Sequence, residues 1–118
     1  MSETQNKEGI LAESMYVVSL EGEIRVQGAE DIRTELKDSI ASHEQVFLNV
    51  SHVSDIDLSF VHLLYAARRF AKKKKKVFRL TGTFQETVLK RLQTGGFVAG
   101  NISTAARDVD EALLPLPE

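Results

Sequence analysis

Between positions 51 and 62 the chain reads SHVSDIDLSFVH, which crowds Ser51, His52, Ser54, Asp55, Asp57, Ser59 and His62 into one short stretch. Serine, histidine and aspartate are the side-chain types of a nucleophilic triad, in which a base takes the hydroxyl proton and a carboxylate orients the base. The context does not fit. No Gly-Xaa-Ser-Xaa-Gly elbow is present, nor a glycine run that could form an oxyanion hole, and a triad is defined by geometry rather than local composition. His52, Asp55, Asp57 and His62 could also be metal ligands, yet their spacing matches no pattern such as His-Glu-Xaa-Xaa-His. No catalytic residue, metal ligand or cofactor is expected.

A third chemistry suits the stretch better. An apolar-periodic helix should begin at Leu58 or Ser59 and run to about Ala71. Its first N–H groups lack intrahelical partners and carry partial positive charge. Either Asp57 or Ser59 could be the N-cap, with staple pairs Ile56/Val61 or Leu58/Leu63 respectively. The plainer reading of Asp57 and Ser59 is as helix caps alone; beyond it, Ser59 is the candidate phosphorylation site. Phosphate there would add a charge near −2, favoured by the helix end and repelled by Asp55 and Asp57. A partner docked over the loop and helix at 54–71 would face that charge change. Asp55, Asp57, Ser59, Phe60 and His62 are the expected partner contacts, with Phe60, if exposed, as an aromatic anchor.

Five consecutive lysines, Lys72 to Lys76, follow Arg68 and Arg69. They could meet anionic lipid, nucleic acid or an acidic protein face. The plainer reading is a solvated turn favoured by the negative end of the helix.

The elements that position these residues follow from periodicity. Met15 to Leu20 reads as a strand, Glu21-Gly22 as a break, and Glu23 to Gln27 as a second strand alternating on Ile24 and Val26. Ala29, Ile32, Leu36 and Ile40 form one helical stripe, with Glu30 and Asp31 in the first turn. Val46 to Val50 reads as an interior strand, and Val77 to Thr81 as the next. Thr83 to Glu86 has the form of a capping box before a helix carrying Val88, Leu89 and Leu92, which stops at Gly95-Gly96. Ile102 to Ala106 is expected as a short strand, and Asp108 to Leu114 as a final helix ended by Pro115 and Pro117. The order β-β-α-β-α-β-α-β-α gives an α/β chain.

With 118 residues, 42% of them hydrophobic and 27% charged, the composition is that of one globular domain. The expected layout is a tail at 1–13, a domain at 14–114 and a tail at 115–118. There is no cysteine, which excludes disulfides and thiolate chemistry. A net charge of −2 argues against a dedicated nucleic-acid binder. No apolar run approaches the roughly 18 residues that cross a bilayer, and the first residues lack a secretory pattern. A cytoplasmic protein without direct membrane insertion is expected; oligomeric state stays open.

The segment FLNVSHVSDIDLSFVHLL at 47–64 resembles the strand, acidic loop and Leu-rich helix of the STAS domain family. Asp57 matches the family's acidic residue, Ser59 the second small residue, and Leu63 and Leu64 its helix positions. SLEGEI, AARRFAKKKKKVFRLTG, VLKRLQTGGF and DVDEALLPL resemble further family stretches in the same order, so the similarity spans about Tyr16 to Leu114. Leu58 stands where well-known members carry the phosphorylated serine, Phe60 where glycine is usual, and Asn49 where aspartate is frequent. The resemblance implies a mixed sheet of four or five strands packed with about four helices. It implies a non-catalytic antagonist of an anti-sigma factor, whose partner is a serine-kinase anti-sigma factor. The alternative it implies is an accessory subunit that binds the ATPase of a membrane lipid-transport complex.

Overall fold

A computed structural model describes residues 15–98, 100 and 102–113. The tails expected at 1–13 and 115–118, Leu114, Pro115 and Pro117 lie outside the described residues. The elements are β1 (Met15–Ile24), α1 (Val26–Ser42), β2 (Gln45–Ile56), α2 (Leu58–Lys74), β3 (Val77–Thr81), α3 (Glu86–Thr94) and α4 (Ala106–Ala112). Among the described residues the sheet has three strands in the order β1-β2-β3, both pairings parallel. The described residues thus form three parallel strands where a mixed sheet of four or five was expected; the four helices agree. Of the strand expected at 102–106, only an antiparallel bridge between Thr83 and Ala105 is formed.

The expected opening hairpin is a single strand. Gly22 has φ +77 and pairs with Val53 between two register shifts. Glycine here absorbs a bulge rather than reversing the chain. Val26, expected on a strand, begins α1 and is 65% exposed. Glu30 and Asp31 therefore lie beyond the first turn, which holds no acidic residue.

Strand β2 continues six residues past the predicted Val50. Its buried residues are Val46, Leu48, Val50, Val53 and Ile56. Spacing of two therefore gives way to spacing of three, twice. The two register shifts explain this, because Ser19 and Glu21 of β1 pair with Asn49 and His52, and Gly22 and Glu23 with Val53 and Asp55. Each inserts one extra residue in β2, and each flips the side-chain parity of the residues beyond it.

Both β1-α1-β2 and β2-α2-β3 are parallel crossovers stepping the same way across the sheet. Right-handed crossovers of that kind lay their helices on one face, and α1 packs against α2. Helices α3 and α4 pack on β2 and β3 respectively. Phe60, Phe84, Leu36, Ile40, Leu48 and Leu64 are among the largest fully buried side chains.

Helix ends follow local chemistry. Helix α3 begins at Glu86 after Gln85, so the capping box expected at Thr83 is not formed; Thr83 is tied to the Ala105 bridge instead. The predicted stop holds: Gly96 has φ +82 and the Phe97 N–H donates to the Leu92 carbonyl at 2.9 Å, a Schellman closure. Helix α4 starts at Ala106 rather than Asp108.

Candidate functional site

Parallel strands end on the same side of a sheet, so the starts of α1 and α2 are brought together beyond β1 and β2. In open α/β sheets that side is where ligands and partners are usually met. Asp57 sits at this junction as the N-cap of α2. Its Oδ1 accepts the Ser59 N–H at 2.9 Å and also the Ser59 hydroxyl. Its Oδ2 accepts the N–H of Val26 at 3.1 Å. Arg25, the N-cap of α1, supplies no side-chain cap, so one carboxylate serves the starts of two helices. The Asp57 N–H donates in turn to the Ile24 carbonyl at 3.2 Å. Hydrogen bonding from the Ser59 hydroxyl, then the two N–H groups and the Arg25 charge, hold the Asp57 carboxyl below its ordinary range against the opposing effect of burial.

The choice between two caps is thereby settled for Asp57, with its staple partners Ile56 and Val61 both buried. Ser59 lies inside the helix. It is half-buried, and its hydroxyl is engaged with Asp57.

Asp55, at the end of β2, is held by two cations from distant elements. Arg91 of α3 makes a bidentate pair through Nε and Nη2, the latter at 3.0 Å. Arg25 adds its Nη2 at 3.1 Å, and the Ile56 N–H donates at 2.9 Å. The Arg91 hydrogen bonds first, then the Ile56 N–H and the two guanidinium charges, lower the Asp55 carboxyl to about 2. Such a fork-on-carboxylate contact fixes geometry as well as charge. Its effect is to tie α3 to the sheet beside Asp57.

A groove of about 660 Å³ opens alongside. Arg25, Lys90 and Arg91 supply its charge; Leu58, Val61 and Phe97 are among its apolar residues. A second hollow of about 520 Å³ lies between α1 and α2 and is lined by Val26, Arg33, Ser59 and His62 among others. Leu58 and Val26, which flank Asp57 in space, are 55% and 65% exposed.

The expected contact residues thus part company. Asp57 and Ser59 remain partly accessible, His62 is exposed, and Asp55 is occupied by its two arginines. Phe60 is wholly buried, which corrects its expected role as an exposed anchor. With α2 starting at Leu58, Phe60 shares a helix face with Leu63, Leu64 and Ala67, all buried. The exposed apolar residue at this end is Leu58. Arg25, Val26, Leu58, Lys90 and Arg91 were not anticipated. Only Leu58 carried a signal, as an apolar residue directly after the cap; nothing local shows that Arg91 reaches a residue 36 positions away.

The mixed polar stretch does not assemble as a triad. Ser51 Oγ accepts the Thr83 N–H at 3.0 Å, and His52 is exposed. Among the described residues no group of three or more His, Asp or Glu side chains could hold a metal ion, and no helix is long and apolar enough to cross a membrane.

Comparison with known proteins adds the family. The STAS domain family model matches residues 2–112. The solved structure of the anti-sigma factor antagonist SpoIIAA in its unphosphorylated form is similar with a TM-score of 0.62 at 20% identity, covering 89% of this chain and 83% of that one. The Bacillus cell fate determinant SpoIIAA in its phosphorylated form gives 0.58 at 19% identity, covering 90% and 86%. No curated protein matches the chain. The family match extends over nearly the whole chain, and the strand, acidic cap and helix at its centre are built as the sequence motif requires: the chain belongs to the STAS domain family.

Proposed function

We propose that this chain is a non-catalytic STAS signalling module that acts as an anti-sigma factor antagonist. It would bind a serine-kinase anti-sigma factor through the start of α2 and the adjoining groove, in a cytoplasmic setting and from one domain at 14–114. The observation that carries the reading is the surface around Asp57. A rigidly fixed carboxylate is flanked by the exposed apolar side chains of Leu58 and Val26 and by a groove bearing Arg25, Lys90 and Arg91. Exposed apolar residues beside a shaped, charged groove are what a protein interface needs: an anchor to desolvate and a rim to orient. Two solved structures of similar fold are of the anti-sigma factor antagonist SpoIIAA. The transporter-ATPase reading draws no comparable support.

Phosphorylation of Ser59 is the proposed control. Its hydroxyl is bonded to Asp57, so a phosphate there sets like charges against each other at the shared cap. The switch would loosen the starts of α1 and α2 together.

The test is calorimetric titration of the chain with serine-kinase anti-sigma factors from the same genome. Saturable binding by one of them, lost in Leu58→Asp while the fold is kept, supports the proposal. Absence of binding to every such kinase, or binding indifferent to Leu58→Asp and Val26→Asp, removes it. Phosphopeptide mapping with the binding kinase decides the control separately, since transfer to a residue other than Ser59 sinks the switch and leaves the docking intact.

A further inference from the structure

The lysine run has a structural context that a solvated turn does not explain. It closes α2 at the end opposite Asp57, roughly 25 Å away along a 17-residue helix. The C-terminal carbonyls there are already used: the Lys76 N–H donates to the Ala71 carbonyl at 2.8 Å, and the Lys75 N–H to the Lys72 carbonyl at 3.1 Å. Favourable contact with the helix end accounts for the presence of lysines. It does not account for a hollow of about 270 Å³ at this end, lined by Arg68, Lys72 and Lys76 together with Val77, Phe78 and Arg79 of β3.

Four cations, from α2, the turn after it and β3, line one cavity with no acidic residue in its lining. Lys76 is paired with Glu44 at 3.5 Å. Among the described residues Arg68, Lys72 and Arg79 make no ion pair. Arg68 Nη1 is buried and has no hydrogen-bond partner, although its guanidinium lies over the Tyr65 ring at 5.9 Å. A buried, unmatched donor on a charged group is costly. Asp110, whose Oδ2 accepts the Leu80 N–H at 3.3 Å, feels the charges of Arg68 and Arg79 but forms no salt bridge with either. The arrangement is short of one anion.

We infer that this hollow is a binding site for a phosphate-bearing anion, taken by the Arg68 and Arg79 guanidiniums with Lys72 as a further point charge. Guanidinium forks match phosphate oxygens in pairs, and an ammonium adds charge without demanding geometry. The phosphate could belong to a soluble phosphorylated compound or to an anionic lipid headgroup, with Lys73, Lys74 and Lys75, all exposed, set beside it.

Titration of the full chain with inorganic phosphate, followed by amide NMR, tests the site. Saturable shifts confined to the end of α2 and the start of β3 are expected, with binding at least about ten-fold weaker in Arg79→Gln. Arg79 is exposed, so this variant should fold even if Arg68→Gln does not. Flotation with phosphatidylglycerol vesicles then separates the sources. Vesicle binding that is lost in Arg79→Gln identifies a lipid headgroup, and no vesicle binding identifies a soluble phosphate compound. Shifts that never saturate, saturable binding unchanged in Arg79→Gln, or vesicle binding that follows Lys73 to Lys75 alone overturns the site.

Discussion

The Asp57 carboxylate accepts the N–H of Val26 at 3.1 Å across 31 residues of chain. The same group caps its own helix through Ser59. Helix α1, which has no side-chain cap of its own, therefore depends on the residue that begins α2. Asp57→Ala should cost more than an ordinary cap. Loss of a cap is worth about 0.5–2 kcal/mol, and loss of the exposed Val26 hydrogen bond adds at most roughly 1 kcal/mol. Asp57→Asn keeps an acceptor oxygen for one of the two helices and should cost about half as much. Urea unfolding of the three proteins checks the order; equal stabilities for Asp57→Ala and wild type would remove the shared cap.

Acid should release the tie between α3 and the sheet. The Asp55 carboxyl is lowered to about 2 by Arg91, the Ile56 N–H and Arg25, against about 3.9 in an unfolded chain. A depressed folded value means the contribution is complete above the unfolded value and is lost as pH falls through the folded one. Asp57, lowered in the same direction, adds to the same limb. Stability should therefore decline between about pH 4 and pH 2, and Asp55→Asn should flatten that decline. Urea midpoints measured across this range for both proteins give the answer, and identical slopes would contradict it.

Asp110 should behave in the opposite sense. Burial raises its carboxyl despite the Leu80 N–H and the more distant Arg68 and Arg79 charges. A raised folded value penalises the ionised form, so the stability tied to the neutral acid is complete below about pH 4 and is lost as pH rises through the folded value. Asp110→Asn retains an acceptor for Leu80 and removes the penalty. It should be at least as stable as wild type at neutral pH, with the difference closing on acidification. A variant that is clearly weaker at neutral pH would mean that the attraction to Arg68 and Arg79 outweighs burial.

Much of this was legible in the residues because each local signal agreed with the final packing. The Phe60, Leu63, Leu64 and Ala67 stripe defined the buried face of α2, and Gly95-Gly96 ended α3 where a left-handed residue was required. What failed was anything that depended on a neighbouring strand. The β2 segment from Ser51 to Ile56 lost its period-two pattern because two bulges against β1 shifted its parity. Gly22 read as a turn because positive φ is usual in turns, whereas here it serves a bulge in a continuing strand. The candidate site was found through Asp57, whose cap is local. The Arg25 and Arg91 clamp was invisible, because a contact across 30 or 36 residues exists only once the sheet has formed.

Gly82 marks a close approach that no other residue can make. It has φ +93, and a Cβ built there would lie 2.2 Å from Ser51 Oγ and 2.6 Å from Asn49 Oδ1. Both atoms have partners to protect: Ser51 Oγ accepts the Thr83 N–H and Asn49 Oδ1 the Ser51 N–H. Gly82→Ala should destabilise by about 2 kcal/mol or more, combining backbone strain with displacement of these groups. The steric share is separable. In a Ser51→Ala background the second substitution should cost measurably less, because the closest clash is gone. Strict additivity in the double-mutant cycle would leave backbone strain as the whole effect.

Phe60 and Leu58 stand two residues apart and divide the work of α2 between them. Phe60 is fully buried and Leu58 is 55% exposed. Removing the first should damage the fold and removing the second should damage only the surface. Phe60→Ala is expected to lose about 3–5 kcal/mol, the range for a buried aromatic replaced by alanine. Leu58→Asp replaces a largely exposed side chain and places a carboxylate in the first turn of a helix, where negative charge is favoured. Its unfolding free energy should match wild type within about 0.5 kcal/mol, while affinity for the proposed kinase partner should fall by at least about ten-fold as an exposed apolar anchor becomes a charge. The two readouts are independent. A stable Phe60→Ala would mean that the aromatic ring is not in the core, and full partner affinity in a folded Leu58→Asp would mean that the start of α2 is not the docking face. Only the second result touches function, which is why the pair is more informative than either substitution alone.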